Sequence, residues 1–302
     1  MTLPRILSLA LTTLLITSCS QEMTQQEETQ TRTSMYEKLN KEAPVAKKVA
    51  KEMTIHDDTR VDNYYWLNQR EDQEVIDYLN AENDYTSAVM EDTKQLQDDI
   101  YNEIVGRIKQ DDESVPFRDN GYFYITRYEE GKEYPIHSRK KGSLEADEEI
   151  MLNLNELAAD YSYYAVGGRS VSPDNQLLAY GEDTLSRRIY TLRFKDLTSG
   201  EILADKIPGT TGRAVWANDN QTVFYSTKDE ALRSFKIFKH KLGTPATDDV
   251  EIYHEEDETF STYVYKSKSK KYIIIANFQT VSNEYHVLNA DTPDGKFRVI
   301  QP

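Results

Sequence analysis

Between Asp72 and Ile108 the apolar side chains fall at helical spacing, and after Pro116 the spacing drops to two. Val75 and Leu79 stand four apart, as do Tyr85 and Val89, and Leu96, Ile100, Ile104 and Ile108 carry the stripe onward at the same interval. Residues four apart share one face of an α-helix, so this segment predicts two helices. Asp92 with Gln95 three residues on predicts a capping box, and with it a junction between the helices near residue 91. A stripe of this kind is a face to be covered and carries no chemistry of its own.

The alternating region opens at Tyr122-Phe123-Tyr124-Ile125 and continues with predicted strands at 188–194, 221–226, 262–266 and 272–277. Turn chemistry separates them at Thr198-Ser199-Gly200 and Pro293-Asp294-Gly295. Two stretches are near copies. Asp174-Asn175-Gln176-Leu177-Leu178-Ala179-Tyr180 returns 45 residues later as Asp219-Asn220-Gln221-Thr222-Val223-Phe224-Tyr225. Fainter echoes stand at Asp119-Asn120-Gly121-Tyr122-Phe123-Tyr124 and at Lys270-Lys271-Tyr272-Ile273-Ile274-Ile275. Turn-plus-strand units with a period of roughly 40–50 residues are the mark of a β-propeller, one blade per repeat. The expected fold is mainly β: a partial propeller of about four blades of a larger ring over 116–302, preceded by a helical segment over 46–115.

Composition adds three constraints. The chain has 302 residues, room for a sizeable core. Its formal charge of −16 argues against nucleic acid, whose phosphates would be repelled; a solvated acidic surface accounts for it. The single cysteine, Cys19, excludes an intrachain disulfide and any cysteine metal site. Its position is informative, because Arg5 and then the apolar run 6–16 precede it, too short to span a bilayer and fitting a secretory signal. Leu15-Ile16-Thr17-Ser18-Cys19 resembles the lipobox of bacterial lipoproteins, in which the cysteine is acylated and becomes the new N-terminus. The expectation is therefore a signal peptide over 1–18, lipidation at Cys19, and an exported, membrane-anchored protein. Residues 19–45, rich in Gln, Thr and Glu, read as a disordered tether.

The search for chemistry finds little. Gly168-Arg169-Ser170-Val171-Ser172 is the nearest approach to a serine-nucleophile elbow, but Ser172 stands where the second glycine is needed and a turn follows at once. Five histidines are scattered at 56, 137, 240, 254 and 286. His254-Glu255-Glu256-Asp257-Glu258 begins like a zinc motif, yet Glu258 replaces the second imidazole, which leaves a charged turn. No catalytic, cofactor-binding or metal residue is identified.

Several stretches together resemble the prolyl oligopeptidase family of serine peptidases, in its oligopeptidase B branch. They are His56-Asp57-Asp58-Thr59-Arg60-Val61-Asp62-Asn63-Tyr64-Tyr65-Trp66-Leu67, Glu74-Val75-Ile76-Asp77-Tyr78-Leu79 with Glu82-Asn83, and Glu182-Asp183-Thr184-Leu185-Ser186-Arg187-Arg188-Ile189-Tyr190-Thr191-Leu192-Arg193-Phe194. Leu197-Thr198-Ser199-Gly200, Val215-Trp216-Ala217-Asn218-Asp219 and His240-Lys241-Leu242-Gly243-Thr244 extend the likeness across roughly 50–302. The resemblance implies hydrolysis of short peptides after Arg or Lys, with a propeller roofing an α/β-hydrolase domain and admitting only small substrates. It also implies that the helical segment packs on that domain, which holds the Ser-Asp-His triad. No position here matches those catalytic motifs, so the chain is expected to be the N-terminal part, inactive alone, with the hydrolase domain absent. Arg187 and Arg188 are candidates for ion pairs holding the two domains closed, against the plainer reading of an exposed pair. The alternative function is a non-catalytic, lipid-anchored propeller that binds a partner; its open sheet edge and uncovered helical stripe would favour aggregation.

Overall fold

The computed structural model describes residues 42–301; the signal segment, Cys19 and most of the expected tether lie outside the described residues. The chain divides into two units, Met1–Ile108 and Lys109–Pro302.

The first unit opens with a hairpin, β1 (Lys51–Ile55) against β2 (Asp58–Asp62). Its two loop residues, His56 and Asp57, both take positive φ, 51° and 61°, the pairing that matches the twist of the strands. The sequence reading did not see this hairpin, because the loop lacks the usual Asn-Gly. Two helices follow, Gln73–Met90 and Lys94–Gly106, joined by a 3-10 turn at Glu91–Thr93. Asp72 caps the first, its Oδ1 accepting from the Glu74 N–H at 2.8 Å. The junction falls where the spacing puts it, but the capping box does not form. Thr93 is the residue ahead of the second helix and makes no cap through its side chain, while Gln95 donates to Asp99 at 2.9 Å. The 3-10 turn keeps the backbone near helical dihedrals through Met90 and Thr93, which removes the extended residue a capping box needs. Val75 is the one buried apolar side chain among the described residues of this unit; Leu79, Leu96, Ile100, Ile104 and Ile108 are all about half exposed or more.

The second unit is built of four blades carried on three sheets. The first blade is β3–β6 (Phe117–Asp119, Tyr122–Arg127, Ile136–Lys141, Glu148–Asn153). The second and third share one seven-stranded sheet: β7 (Ala165–Val171), β8 (Leu177–Asp183), β9 (Tyr190–Asp196), β10 (Ile202–Trp216), β11 (Thr222–Lys228), β12 (Ser234–Lys241) and β13 (Val250–His254). The fourth is β14–β17 (Ser261–Lys266, Tyr272–Phe278, Asn283–Asn289, Arg298–Val299). All pairings are antiparallel.

Strand β10 merges the middle blades because it serves both. Its first half pairs with β9 and its second half with β11, with register shifts between Ile207 and Thr210 and between Thr210 and Ala214. The crossing depends on two glycines. Gly212 sits at φ +84°, and a Cβ on Gly181 would stand 2.4 Å from the Gly212 Cα. No other residue lets β8 and β10 approach so closely.

Three buried clusters fill the three seams between successive blades. Tyr124, Leu152, Leu178 and Tyr180 pack the first seam, Phe194, Ile207, Trp216 and Tyr225 the second, and Phe224, Ile237, Ile273 and Leu288 the third. A fully buried apolar side chain contributes about 1.5–3 kcal/mol, so the seams supply the main cohesion. Polar bonds align them: Arg139 Nη1 donates to Asn175 O at 2.9 Å, Trp216 Nε1 to Ser170 O at 2.8 Å, and Lys266 Nζ to Trp216 O at 2.9 Å. At the second seam His240 of β12 is fully buried, Nδ1 at 2.6 Å from Asp249 and Nε2 at 3.1 Å from Asp205. Phe194 stacks on its ring, and Tyr225 donates to the other Asp249 oxygen at 2.7 Å.

Candidate functional site at the hub of the blades

The repeat turns mark the same place in every blade. Each joins the first strand of a blade to its second, and each holds a non-glycine residue in the left-handed region: Asn120 (φ 47°, followed by Gly121 at 84°), Asn175 (66°), Asn220 (59°) and Lys270 (62°). Asn reaches that region readily because its short side chain can hydrogen-bond locally. These turns are tied to one another. Asn120 Nδ2 donates to Pro173 O at 2.8 Å, Asn220 Oδ1 accepts from the Asp174 N–H at 2.9 Å, and Asn218 Nδ2 donates to Lys270 O at 3.3 Å. Lys270 Nζ then reaches Asp119 Oδ1 at 2.7 Å, linking the fourth blade back to the first.

The first strands β3, β7, β10 and β14, with three of these turns, enclose a cavity of about 890 Å³. Its charged lining is one-sided. Arg169, Arg213, Lys266, Lys268 and Lys270 face a single carboxylate, Asp119, and Asp119 is already engaged by Lys270. In a chain of net charge −16 this is a local reversal of sign.

Arg169 is held by an uncharged partner. Its Nη1 lies 2.6 Å from His137 Nε2, and His137 Nδ1 lies 3.0 Å from Thr126 Oγ1. Burial first, and the Arg169 charge second, push His137 from its ordinary 6.5 down to about 4. The imidazole is therefore neutral near pH 7, its Nδ1–H donating to Thr126 and its Nε2 lone pair accepting from the guanidinium. Burial lowers Arg169 too, yet a guanidinium keeps its proton. Arg213 lies on β10, the first strand of the next blade. A Cβ on Gly168 would come within 2.6 Å of Arg213 Cγ, so the Arg213 stem lies across the Gly168 backbone. Arg213 and Lys268 have no hydrogen-bond or ion-pair partner among the described residues. Lys266 is bound only to Trp216 O and Asn218 Oδ1; burial and the nearby Lys270 lower its pKa.

The sequence-selected residues are dispersed. Ser170 lies within β7, its carbonyl taken by Trp216, so it sits on no strained turn. His254 ends β13 and meets Phe235 edge-on. Leu185-Ser186-Arg187-Arg188 forms the β8–β9 loop, where buried Asp183 accepts from the N–H groups of Leu185 and Arg188. The Arg187 and Arg188 side chains are exposed. Among the described residues no group of three or more His, Cys, Asp or Glu side chains is placed to hold a metal. The reading of the sequence passed over Arg169 and Arg213: they stand five and six residues ahead of Asp174 and Asp219, one position out of step in the 45-residue repeat, so the repeat does not align them.

Comparison with known proteins supplies context. A family model described as prolyl oligopeptidase, N-terminal beta-propeller domain, matches residues 44–302. Dipeptidyl aminopeptidase BI from Pseudoxanthomonas mexicana is 44% identical over 276 residues, which is 85% of this chain and 38% of that protein. Protease 2 from Moraxella lacunata is 34% identical over 257 residues, covering 83% of this chain and 37% of that one. The structure of oligopeptidase B from Leishmania major superimposes with a TM-score of 0.80 at 30% identity, over 86% of this chain and 40% of that one. The chain thus spans less than two fifths of the length of either curated relative.

Proposed function

The chain belongs to the prolyl oligopeptidase family of serine peptidases, through that family's N-terminal propeller domain, and on this premise we propose that it is the gating part of a peptidase cutting short peptides after Arg or Lys. The observation that carries the reading is the hub cavity of about 890 Å³, walled by the first strands of all four blades and drawn together at their turns. A cavity lined by the first strand of every blade is where a propeller would take an extended peptide and refuse a folded domain. The chemistry belongs to the family's catalytic domain: a serine activated by a histidine attacks the carbonyl while backbone N–H groups hold the oxyanion. In this reading the exposed stripe from Leu79 to Ile108 is the face that meets that domain.

The 44% identical relative named a dipeptidyl aminopeptidase favours a second reading, release of dipeptides from a free N-terminus. One assay of the complete protein, catalytic domain included, separates the two. An N-acetylated arginyl reporter is cut by an endopeptidase and spared by a dipeptidyl aminopeptidase. Size gating predicts that the same arginyl sequence placed in a loop of a folded protein survives. Its cleavage at the peptide's rate would dispose of the gate.

We infer also that the protein is exported and held on a membrane through acyl chains on Cys19, from the lipobox-like Leu15-Ile16-Thr17-Ser18-Cys19. Two or more chains give stable anchoring. Labelling with a fatty-acid analogue should mark the wild type and spare Cys19→Ser; equal labelling of the two would refute the anchor.

A further inference from the structure

The charges of the hub cavity suit a ligand that neither an arginyl side chain nor a size filter explains. Five cations line it and one carboxylate answers them. Arg169 is fixed by a neutral imidazole, so its charge is oriented without being compensated. Arg213, whose stem is laid across the Gly168 backbone, lines the same cavity and is also uncompensated. Two guanidinium groups on the first strands of successive blades line this one cavity, each with free N–H donors, and a guanidinium fork binds a carboxylate at two points. Lys268, on the turn between β14 and β15, adds a third unpaired cation.

We propose that Arg169 and Arg213 form an anion site in the hub cavity that takes the C-terminal carboxylate of a short peptide. The cavity then orients what it admits: the carboxylate end is drawn to the cationic wall, and a basic side chain elsewhere on the peptide is turned away from it. The peptide ligand rests on the gating reading above; the carboxylate site stands on the cavity's own charges.

Isothermal titration of the full chain tests it without turnover. The probes are N-acetyl-dialanine with a free C-terminal carboxylate, the same peptide as its amide, and N-acetylglutamic acid α-amide, whose carboxylate is on the side chain. The free acid should bind at least about tenfold more tightly than the amide, as expected for a charge-assisted pair of bonds. Its affinity should fall as sodium chloride is raised. Arg169→Gln and Arg213→Gln should each lose about tenfold, and Lys132→Gln, an exposed residue outside the cavity, should lose nothing. Arg169→Lys, which keeps the charge, and Lys268→Gln, on a surface turn, are the variants to use if the first two melt early; the former should keep part of the affinity, the latter lose some. Equal binding of acid and amide, no binding of either, or losses in Lys132→Gln as large as in Arg169→Gln would overturn the site. Binding of the side-chain acid alone would overturn the assignment to a peptide terminus. A chain that binds the acid but never supports peptide hydrolysis once its catalytic domain is present would defeat the gating reading and leave the site standing.

Discussion

The helical unit and the blade unit have apolar patterns of similar regularity, yet only one of them is covered. In the helical unit, Val75 alone among the described residues is buried, at 2% exposure, while Ile100 and Ile104 stand at 48% and 55%. In the blades, Phe194, Phe224, Ile237 and Ile275 are at 0%. Periodicity identifies which face of an element is apolar. It does not identify what will cover that face. The blades supply their own cover, each packing its face on the next, so their stability is local to the unit; the helices present a face for something else.

The largest blow to the blade unit should come from His240→Ala. It leaves Asp205 and Asp249, buried carboxylates in contact with the ring, without their shared partner. Each carboxylate keeps one donor, the Gly243 N–H on Asp205 and the Tyr225 hydroxyl on Asp249, and each loses a hydrogen bond to a charged group worth about 1.5–3 kcal/mol. Urea unfolding should show a loss of that size, and hydrogen exchange in Gln73–Gly106 should not change. A small loss, or one shared equally by the helices, would mean that the two units are not energetically distinct.

Gly181→Ala comes next. The added Cβ meets the Gly212 backbone, with the Gly212 Cα at 2.4 Å, and backbone cannot step aside as a side chain can. Overpacking of this kind costs about 1–3 kcal/mol. The loss should appear as a lower Tm of the blade unit, and Gly200→Ala, which meets nothing within 4 Å but sits at φ +80°, is a comparison for turn strain alone.

A third effect is graded by pH. His137 is held at about 4 in the folded protein against an ordinary 6.5. On acidification the unfolded chain takes up this proton first, so folding stability is intact above about pH 6.5 and falls as the pH drops toward 4. The limiting slope for one group is about 1.4 kcal/mol per pH unit. His137→Gln, whose amide oxygen still accepts from Arg169, should flatten the acid limb by up to one proton relative to the wild type. Parallel acid limbs in the two proteins would show that His137 protonates freely in the fold.

Much of the blade architecture was legible in the sequence, because an Asn-containing turn must reach the left-handed region and a strand must alternate. Asp174–Asn175 and Asp219–Asn220 announced their blades for that reason. Lys270 was a fainter echo since lysine has no special claim on positive φ; the turn is closed by backbone bonds, Lys270 N–H to Ser267 O and Ser267 N–H to Tyr272 O. The His56–Asp57 hairpin was silent for a similar cause. Asp92 and Gln95 misled in the opposite direction, because a capping box is a local pattern and Asp92 lies inside a 3-10 turn, Glu91–Thr93, whose backbone is already helical. The hub cations were hidden by distance. Arg169, Arg213 and Lys268 mean nothing singly, and only the stacking of blades brings them to one wall.

The smallest stability effect should come from the stripe itself, and it sharpens the contrast most. Ile100→Ser and Ile104→Ser remove apolar groups that are about half exposed in this structure. Surface changes of this sort shift stability by no more than about 0.5 kcal/mol. The same truncation at Ile237 or Ile275, which are fully buried, should cost several times as much, about 2–5 kcal/mol for loss of a large aliphatic group. The stripe variants should instead lower self-association, measured by light scattering as concentration is raised, since a contiguous apolar face is what one copy offers another. If Ile100→Ser unfolds the helices as severely as Ile237→Ser unfolds the blades, the stripe is part of the unit's own core and the difference between the two regions disappears.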